Sequence, residues 1–304
     1  GEKISKQALG GAVMHTSVSG VAHNQVDDFL QGVRLVRKYL SFFPASAYQL
    51  AAQKQSALSQ SRSLVDVFDI VPNDDRIAYD MHKLIDLVVD DNDDCIEIQP
   101  GYGRSIITSL ARIGGYPVAI VANQPSVQAG AITAEAANKA AHFIDVCNAF
   151  HLPIVFLADN PGVMSGSSAE QAGTLRSAAR MYAAQSSIES PKLHVTIRKA
   201  FGFGSSLMGM NPFDQQTLTL AFPGITLGGI PALGGGIASG ADKDMAEKLK
   251  IAEQSGAWST GDTMAYDEII DPRELRNRFI KALMISRERQ TQQPQPLKRS
   301  GIRP

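Results

Sequence analysis

The chain has 304 residues, of which 44% are hydrophobic and 19% charged, a balance typical of a folded globular protein with one large core or two medium ones. The formal net charge is −1 and basic residues are not interleaved with aromatic ones, which argues against binding to nucleic acid or to an anionic membrane surface. No apolar run approaches the ~18 residues of a membrane-spanning helix.

The first 64 residues predict one helix followed by a connector. Residues 1–24 are rich in Gly, Ser and His, and apolar residues then recur at helical spacing from Val26 to Leu40 until "SFFPAS" breaks the pattern. Residues 47–63, "AYQLAAQKQSALSQSRS", contain Gln, Ser and Ala but few large apolar groups, which is typical of a connector. We place a domain boundary near residue 65.

Helices and strands alternate in the middle of the chain. The predicted helices cover residues 81–89, 133–150 and 169–187, and the predicted strands cover residues 95–99, 105–112, 117–123, 154–158 and 193–198. Regular alternation of this kind predicts a layered α/β core.

The C-terminal part has a weaker pattern. "FPGITLGGIPALGGG", from residue 222, is too rich in glycine for a plain strand, and residues 243–256 are predicted to be helical. A final amphipathic helix is predicted in "DPRELRNRFIKALMISRERQ", capped by Asp271 with Pro272 at its first position. The polar residues 291–304 are expected to be a loose tail until they meet a partner.

Three predicted strands end in turn sequences, "ANQPS" from residue 122, "ADNPG" from 158 and "RKAFGFG" from 198. Loops at one edge of a sheet commonly form a site. Where a strand ends in glycines and a helix follows directly, the first backbone N–H groups of the helix also have no partner and can bind an anion. The candidate substrate-binding residues in these turns are Asn123, Pro125, Gly162, Gly202, Ser205 and Ser206.

Side-chain chemistry is weakly supported in these turns. The nucleophile motif G-x-S-x-G does not occur, and a serine in such a turn is more often a helix cap than a nucleophile, so we favour a capping role for Ser205 and Ser206. Gly202 and Gly204 begin a dinucleotide motif, but Leu207 stands where its third glycine belongs. Asp159 could act as a general base, although "DNPG" is equally a turn signal.

A metal site is not predicted either. The six histidines show no paired spacing, and the aspartates of "VVDDNDDC" lack the glycine and terminal glutamate of a calcium loop. What remains is a site built mainly of backbone groups. Such a site suits a reaction whose main barrier is the formation of a negatively charged oxygen, which backbone N–H groups can stabilise.

Several longer stretches carry a family resemblance: "YDMHKLIDLVVDD", "IEIQPGYGRSIITSLARIGGYPVAIVANQP", "AANKAAHFIDVCNAFHLPIVFLADNPGVMSG", "TLRSAARMYAA", "VTIRKAFG" and "IIDPRELRNRFIKAL". In that order they resemble the C-terminal half of the biotin-dependent acyl-CoA carboxyltransferases, the β subunits of propionyl-, acetyl- and methylcrotonyl-CoA carboxylases. The opening residues 1–24 resemble the tail of the family's N-terminal half. We therefore expect a fragment in which residues 1–64 are that tail plus a connector and residues 65–304 are the C-terminal carboxyltransferase domain.

The resemblance implies an α/β, crotonase-like fold of stacked ββα units, in subunits that pair head to tail as dimers and commonly build hexamers. It implies biotin on a carrier protein as cofactor, acyl-CoA as substrate, a biotin carboxylase or biotin carboxyl carrier subunit as partner, and no metal. A cytoplasmic location follows, or the mitochondrial matrix if the source is eukaryotic. The implied reaction moves the carboxyl group from carboxybiotin to the α-carbon of an acyl-CoA, and the biotin ureido oxygen becomes an enolate held by backbone amides.

The family's amide pair lies in "RKAFGGA", and this chain has "RKAFGFG", so Phe203 and Gly204 are the expected catalytic positions. The phenylalanine crowds space that glycine leaves open. Replacing Gly204 by proline is expected to remove one donor with little effect on the fold. Ser206 corresponds to the family position thought to govern acyl-chain size, unless it merely caps a helix beginning near Leu207.

Three alternatives remain open at this point. A decarboxylase subunit would run the transfer backwards with the same fold and site. A non-catalytic binding or scaffold module would carry no acyl-CoA site of its own. A crotonase-type hydrolase would use Ser205 as nucleophile.

Overall fold

The computed structural model describes residues 1–210, 215–231, 243–290 and 294–297. Most of the predicted polar tail and residues 232–236 of the glycine-rich stretch therefore lie outside the described residues.

One mixed sheet organises the described part of the chain, and its strands are β1 Ile96–Glu97, β2 Ile106–Ile113, β3 Tyr116–Asn123, β4 Ile154–Asn160, β5 Lys192–Phe201, β6 Leu218–Ala221, β7 Thr226–Gly228 and β8 Glu268–Ile269. The strand order is β1-β2-β3-β4-β5-β6-β8, with β7 paired to the end of β5. Strands β1 to β3 are antiparallel, whereas β3, β4, β5, β6 and β8 run parallel, so the carboxyl ends of β4 and β5 meet at one edge of the sheet.

The helices with described bounds are α1 Lys6–Gly10, α2 Phe29–Leu40, α3 Val67–Ile70, α4 Met81–Val88, α5 Ala134–Ala149, α6 Ser167–Gln171, α7 Thr174–Ser186, α8 Gly202–Leu207, α9 Lys243–Gln254, α10 Gly256–Gly261 and α11 Leu275–Gln290. One face of the sheet packs against α5 and α7, and the other against α4 and α11. Helices thus cover both faces, and the predicted α/β layering is confirmed. A π-helix covers Met14–Val18.

Turn chemistry explains where several helices begin. Thr133 caps α5 by accepting a hydrogen bond from the Ala136 amide at 3.2 Å. The predicted helix over residues 169–187 is in fact two helices, because Gly173, at φ +72°, interrupts it before α7. Asp271 caps the C-terminal helical segment as predicted, with Pro272 opening a 3₁₀ turn that leads into α11.

The first 64 residues are joined to the sheet domain by backbone hydrogen bonds. The Lys54 amide donates to the Gly115 carbonyl at 2.9 Å, and the Leu64 amide donates to the Arg273 carbonyl at 2.9 Å. Helix α2, capped by Asp28, buries none of its residues. Among the helices within the described ranges, none is both long enough and apolar enough to cross a membrane.

Candidate functional site

The turn between β5 and α8 is the centre of the candidate site. The strand ends at Phe201 and the helix begins at once at Gly202, so the prediction of a helix starting near Leu207 is wrong: α8 ends there. Gly202 has φ +55°, and a Cβ on it would lie 2.8 Å from the Gly229 carbonyl oxygen. Only glycine fits this connection without strain.

The amides at the start of α8 are available to a ligand. The first amides of an α-helix, here those of Gly202, Phe203 and Gly204, have no acceptor within the helix. Phe201, at the N-cap position, provides no side-chain acceptor. Ser205 and Ser206 lie inside α8, so the prediction that they cap the start of this helix is wrong.

The "ADNPG" turn packs directly against α8. The fully buried Asn160 accepts a hydrogen bond through Oδ1 from the Gly162 amide at 2.9 Å. A Cβ on Gly204 would lie 2.9 Å from the Gly162 Cα and would collide with Asn160 Oδ1. Gly162 itself has φ +121°. The two turns therefore meet backbone to backbone, which fixes the direction of the Gly204 amide.

Two buried polar groups beside this contact lack partners. Asn160 Nδ2 and Ser205 Oγ are both buried and form no hydrogen bond with any described residue. Buried polar groups are nearly always satisfied, so unpaired ones next to free helix amides indicate a place for an acceptor. Sequence reasoning did not select Asn160; its position after Asp159 at a strand end was the available signal.

The side chain of Phe203 makes an aromatic contact and takes no part in hydrogen bonding. The ring is 39% exposed and packs against Tyr182 of α7, with ring centroids 5.6 Å apart. Its backbone amide does not depend on the side chain, so the exchange of glycine for phenylalanine keeps the donor.

Asn123 and Pro125 lie at the neighbouring strand end, and both are buried. Asn123 Nδ2 donates to the Gly130 carbonyl at 2.9 Å, and its Oδ1 accepts from the Asp159 amide at 3.1 Å. The Asn123 side chain thus ties the end of β3 to the end of β4. Direct contact of these two residues with a substrate stays a prediction.

Asp159 is held in a buried ion pair. It is fully buried, its Oδ2 accepts a hydrogen bond from Arg198 Nε at 2.7 Å, and Lys199 Nζ lies 3.7 Å from its Oδ1. A carboxylate held in this way positions the turn, and this arrangement favours the structural interpretation of "DNPG" over a general base.

The chain is an α/β protein whose candidate anion site lies between the ends of two parallel strands. The chain belongs to the carboxyl transferase domain family, whose model matches residues 1–230.

Relatives agree with this assignment. The chain is 42% identical to an uncharacterized carboxylase of Bacillus subtilis (strain 168) over 223 residues, covering 73% of this chain and 43% of that protein. It is 34% identical to the methylmalonyl-CoA carboxyltransferase 12S subunit of Propionibacterium freudenreichii subsp. shermanii, covering 99% of this chain and 59% of that protein. The chain therefore spans about half the length of the relatives it matches.

Solved structures show the same fold. A crystal structure of transcarboxylase 12S, described as a hexamer with hydrolyzed methylmalonyl-coenzyme A bound, superposes with a TM-score of 0.89 at 30% identity, covering 99% of this chain and 58% of that one. The crotonase-like architecture expected from the sequence is confirmed.

Proposed function

We propose that this chain is the carboxybiotin-binding part of the carboxyltransferase component of a biotin-dependent acyl-CoA carboxylase. In this proposal residues 1–64 are the tail of an N-terminal half plus a connector, and residues 65–304 are the C-terminal carboxyltransferase domain. The observation that carries the proposal is the pair of free amides at Phe203 and Gly204, fixed by the contact between Gly204 and the Asn160 turn.

The residues at this turn fit a biotin ureido group. Its oxygen needs hydrogen-bond donors in a confined place, and the α8 amides and Asn160 Nδ2 supply donors around space that no side chain at Gly204 can occupy. Bound here, carboxybiotin would supply the carboxyl group, and the α8 amides and Asn160 Nδ2 would be placed to stabilise negative charge on the ureido oxygen. Each preorganised donor of this kind is typically worth about 3 kcal/mol of barrier.

Ser205 gives less support to a hydrolase. Its hydroxyl lies inside α8 with no described histidine or carboxylate in hydrogen-bond contact. A serine nucleophile needs an adjacent base. We therefore place Ser205 in the wall of the biotin pocket, with Gly202 and Gly162, and Ser206 at the position that governs acyl-chain size.

Assembly with other chains is part of the proposal. Helix α2 exposes a row of large apolar residues, which a second copy of the chain or another part of the enzyme would cover. These are Phe29, Leu30, Val33, Val36 and Leu40. We expect a dimer or hexamer that works with a biotin carboxylase or biotin carboxyl carrier subunit, and the hexamer of the transcarboxylase 12S structure supports this expectation.

A decarboxylase is the second candidate. The chain is 32% identical to the methylmalonyl-CoA decarboxylase subunit alpha of Veillonella parvula, covering 97% of this chain and 59% of that protein. The same donors would serve carboxylation and decarboxylation alike, because negative charge on the biotin ureido oxygen is common to both directions of the transfer.

The deciding experiment follows labelled bicarbonate into a series of acyl-CoA esters, using the intact protein that contains this chain with its biotin subunits. Incorporation supports the carboxylase, and release of label from a carboxylated acyl-CoA alone supports the decarboxylase. A folded protein that does neither, with a carrier that is shown to be carboxylated, contradicts the proposal.

A further inference from the structure

A cavity of ≈ 500 Å³ lies on the sheet face that packs against α4 and α11. It is bounded by α3, the segment after it, the loops that follow β6 and β8, and α10. The described lining residues include Phe68, Arg198, Phe222, Gly224, Trp258 and Asp271. None of them belongs to α8 or to the "DNPG" turn.

The lining is mostly apolar and includes three aromatic rings. Phe222 is buried, whereas Phe68 and Trp258 are 55% and 62% exposed. Small-molecule sites occupy roughly 300 to 1,000 Å³ and combine apolar walls with a few polar groups. The size and walls suit a ring system or a medium-length chain.

Arg198 is the buried cation of this cavity. It is 4% exposed, its Nη1 donates to the Ile77 carbonyl at 2.8 Å and to the Asp74 carbonyl at 3.1 Å, and its Nε is bound to Asp159. Its Nη2 is buried and has no partner among the described residues. One strong donor beside the cavity therefore lacks an acceptor.

Arg198 shares its buried anionic partner with a second cation. Lys199 shares the same carboxylate of Asp159, so two largely buried cations face one buried anion. Two further acids lie close by. The carboxylate of Asp74 interacts electrostatically with Arg198 and is also bound by Arg76. The carboxylate of Asp75 accepts a hydrogen bond from the Thr226 hydroxyl at 3.3 Å.

Asp271, which also lines the cavity, is already paired. Its carboxylate is bound by the Arg273 guanidinium, which holds the pKa of Asp271 at about 2. A donor buried without a partner is costly, so an anionic group in the cavity that accepts from Arg198 Nη2 would be favourable.

We propose that this cavity binds a small amphipathic monoanion, an aromatic or medium-chain carboxylate, with the charged group on Arg198 and the apolar body against Phe222 and Trp258. The residues that line this cavity differ from those of the proposed biotin site, although Arg198 is bound to Asp159 of the turn that forms that site.

The test uses the single tryptophan of the chain, Trp258, as a reporter at the cavity rim. The full chain is titrated with anilinonaphthalene sulfonate and, in parallel, with phenylnaphthylamine, the same ring system without the charge. Energy transfer from Trp258 reports binding at this site. One sulfonate should bind per chain, about tenfold more tightly than the neutral amine, because hydrogen bonds to charged groups are the stronger ones. Octanoate should displace the sulfonate at lower concentration than octanol.

A matched pair of glycine variants locates the probe. A Cβ on Gly224 or on Gly229 meets no heavy atom within 4 Å, but only Gly224 lines the cavity. Gly224→Phe should weaken sulfonate binding at least about tenfold, and Gly229→Phe should not, because overlap with added bulk is costly only inside the site. Phe68→Ala, at an exposed rim position, is the second variant and should weaken the aromatic probe more than octanoate.

Three results would each overturn the proposal. They are equal affinity of the charged and neutral probes, sulfonate binding that survives in both Gly224→Phe and Phe68→Ala, and an equal loss in Gly224→Phe and Gly229→Phe with both variants folded by circular dichroism. Unchanged binding in the cavity variants would place the probe on another apolar surface, such as the exposed side of α2.

Discussion

The side-chain oxygen of Asn160 occupies the space that a Cβ on Gly204 would need. Glycine at position 204 is thus required by the packing of two turns as well as by the direction of its amide. The expectation that Gly204→Pro would leave the fold nearly intact is wrong, because the proline ring would meet Asn160 and the Gly162 backbone.

We predict that Gly204→Ala lowers the free energy of unfolding by about 1–3 kcal/mol, the usual cost of overpacking. Gly224→Ala, where a Cβ meets nothing within 4 Å, is the control. It should stay within about 0.5 kcal/mol of the starting chain. Urea denaturation measures both. The loss at Gly204 should shrink when Asn160→Ala is added, and equal losses in the two backgrounds would contradict the contact.

Ser205→Ala separates a pocket wall from a nucleophile. Its buried hydroxyl has no partner among the described residues, so removal should leave stability unchanged or raise it by up to about 1 kcal/mol. Transfer activity should fall less than about tenfold, whereas loss of a true nucleophile costs several orders of magnitude. Covalent labelling of Ser205 by a fluorophosphonate, together with abolished turnover in the variant, would instead support the hydrolase.

The sequence predicted the strands and long helices well because their signals are local. The β-branched run before Arg198 and the alanine-rich pattern of α5 fix element type within a few residues. The start of α8 could not be predicted in this way, since glycines at 202 and 204 argue against helix locally and only their close packing explains them. Asn160 was missed for a related reason: its importance lies in a contact with a residue 44 positions away.

His82 is held between two carboxylates near the β3 end. Its Nδ1 lies 2.7 Å from Asp80 Oδ1 and its Nε2 lies 2.9 Å from Glu97 Oε2. The hydrogen bond to Glu97, followed by that to Asp80, raises the pKa of His82 from 6.5 to about 9, against the opposing effect of burial. The imidazolium is therefore the main form at neutral pH.

We predict that the stabilisation of the fold by His82 is fully present below pH 6.5, the ordinary pKa of histidine. This stabilisation is lost as the pH rises through about 9, the pKa of His82 in the folded chain. The side chain is 44% exposed, so solvent screening limits the contribution to about 1 kcal/mol. Thermal unfolding of the starting chain and His82→Asn, from neutral to alkaline pH, measures it as a difference between the two proteins.

The difference between the two proteins isolates His82 from other groups that titrate in the same range. Burial lowers the pKa of Lys139 to about 8, so the contribution of Lys139 to stability rises with pH, whereas that of His82 falls. The Lys139 contribution is the same in both proteins and cancels in their difference. A gap between their unfolding temperatures that does not narrow at alkaline pH would contradict the role of His82.

The last prediction concerns acyl-chain selectivity and depends on the proposed function. Ser206 lies in the final turn of α8 and is partly buried, so the interpretation that it caps a helix starting near Leu207 is excluded. We predict that Ser206→Ile changes the ranking of acyl-CoA substrates towards shorter chains by roughly tenfold or more in relative kcat/KM, since one methylene in a pocket is worth about 1 to 3 kcal/mol. Ser206→Ala is the matched control and should keep the ranking, because it removes a hydroxyl without adding bulk. Rates across a series of chain lengths decide the matter: an unchanged order in the isoleucine variant, with α8 still folded, would remove Ser206 from the pocket wall and leave chain length to be read elsewhere in the assembled enzyme.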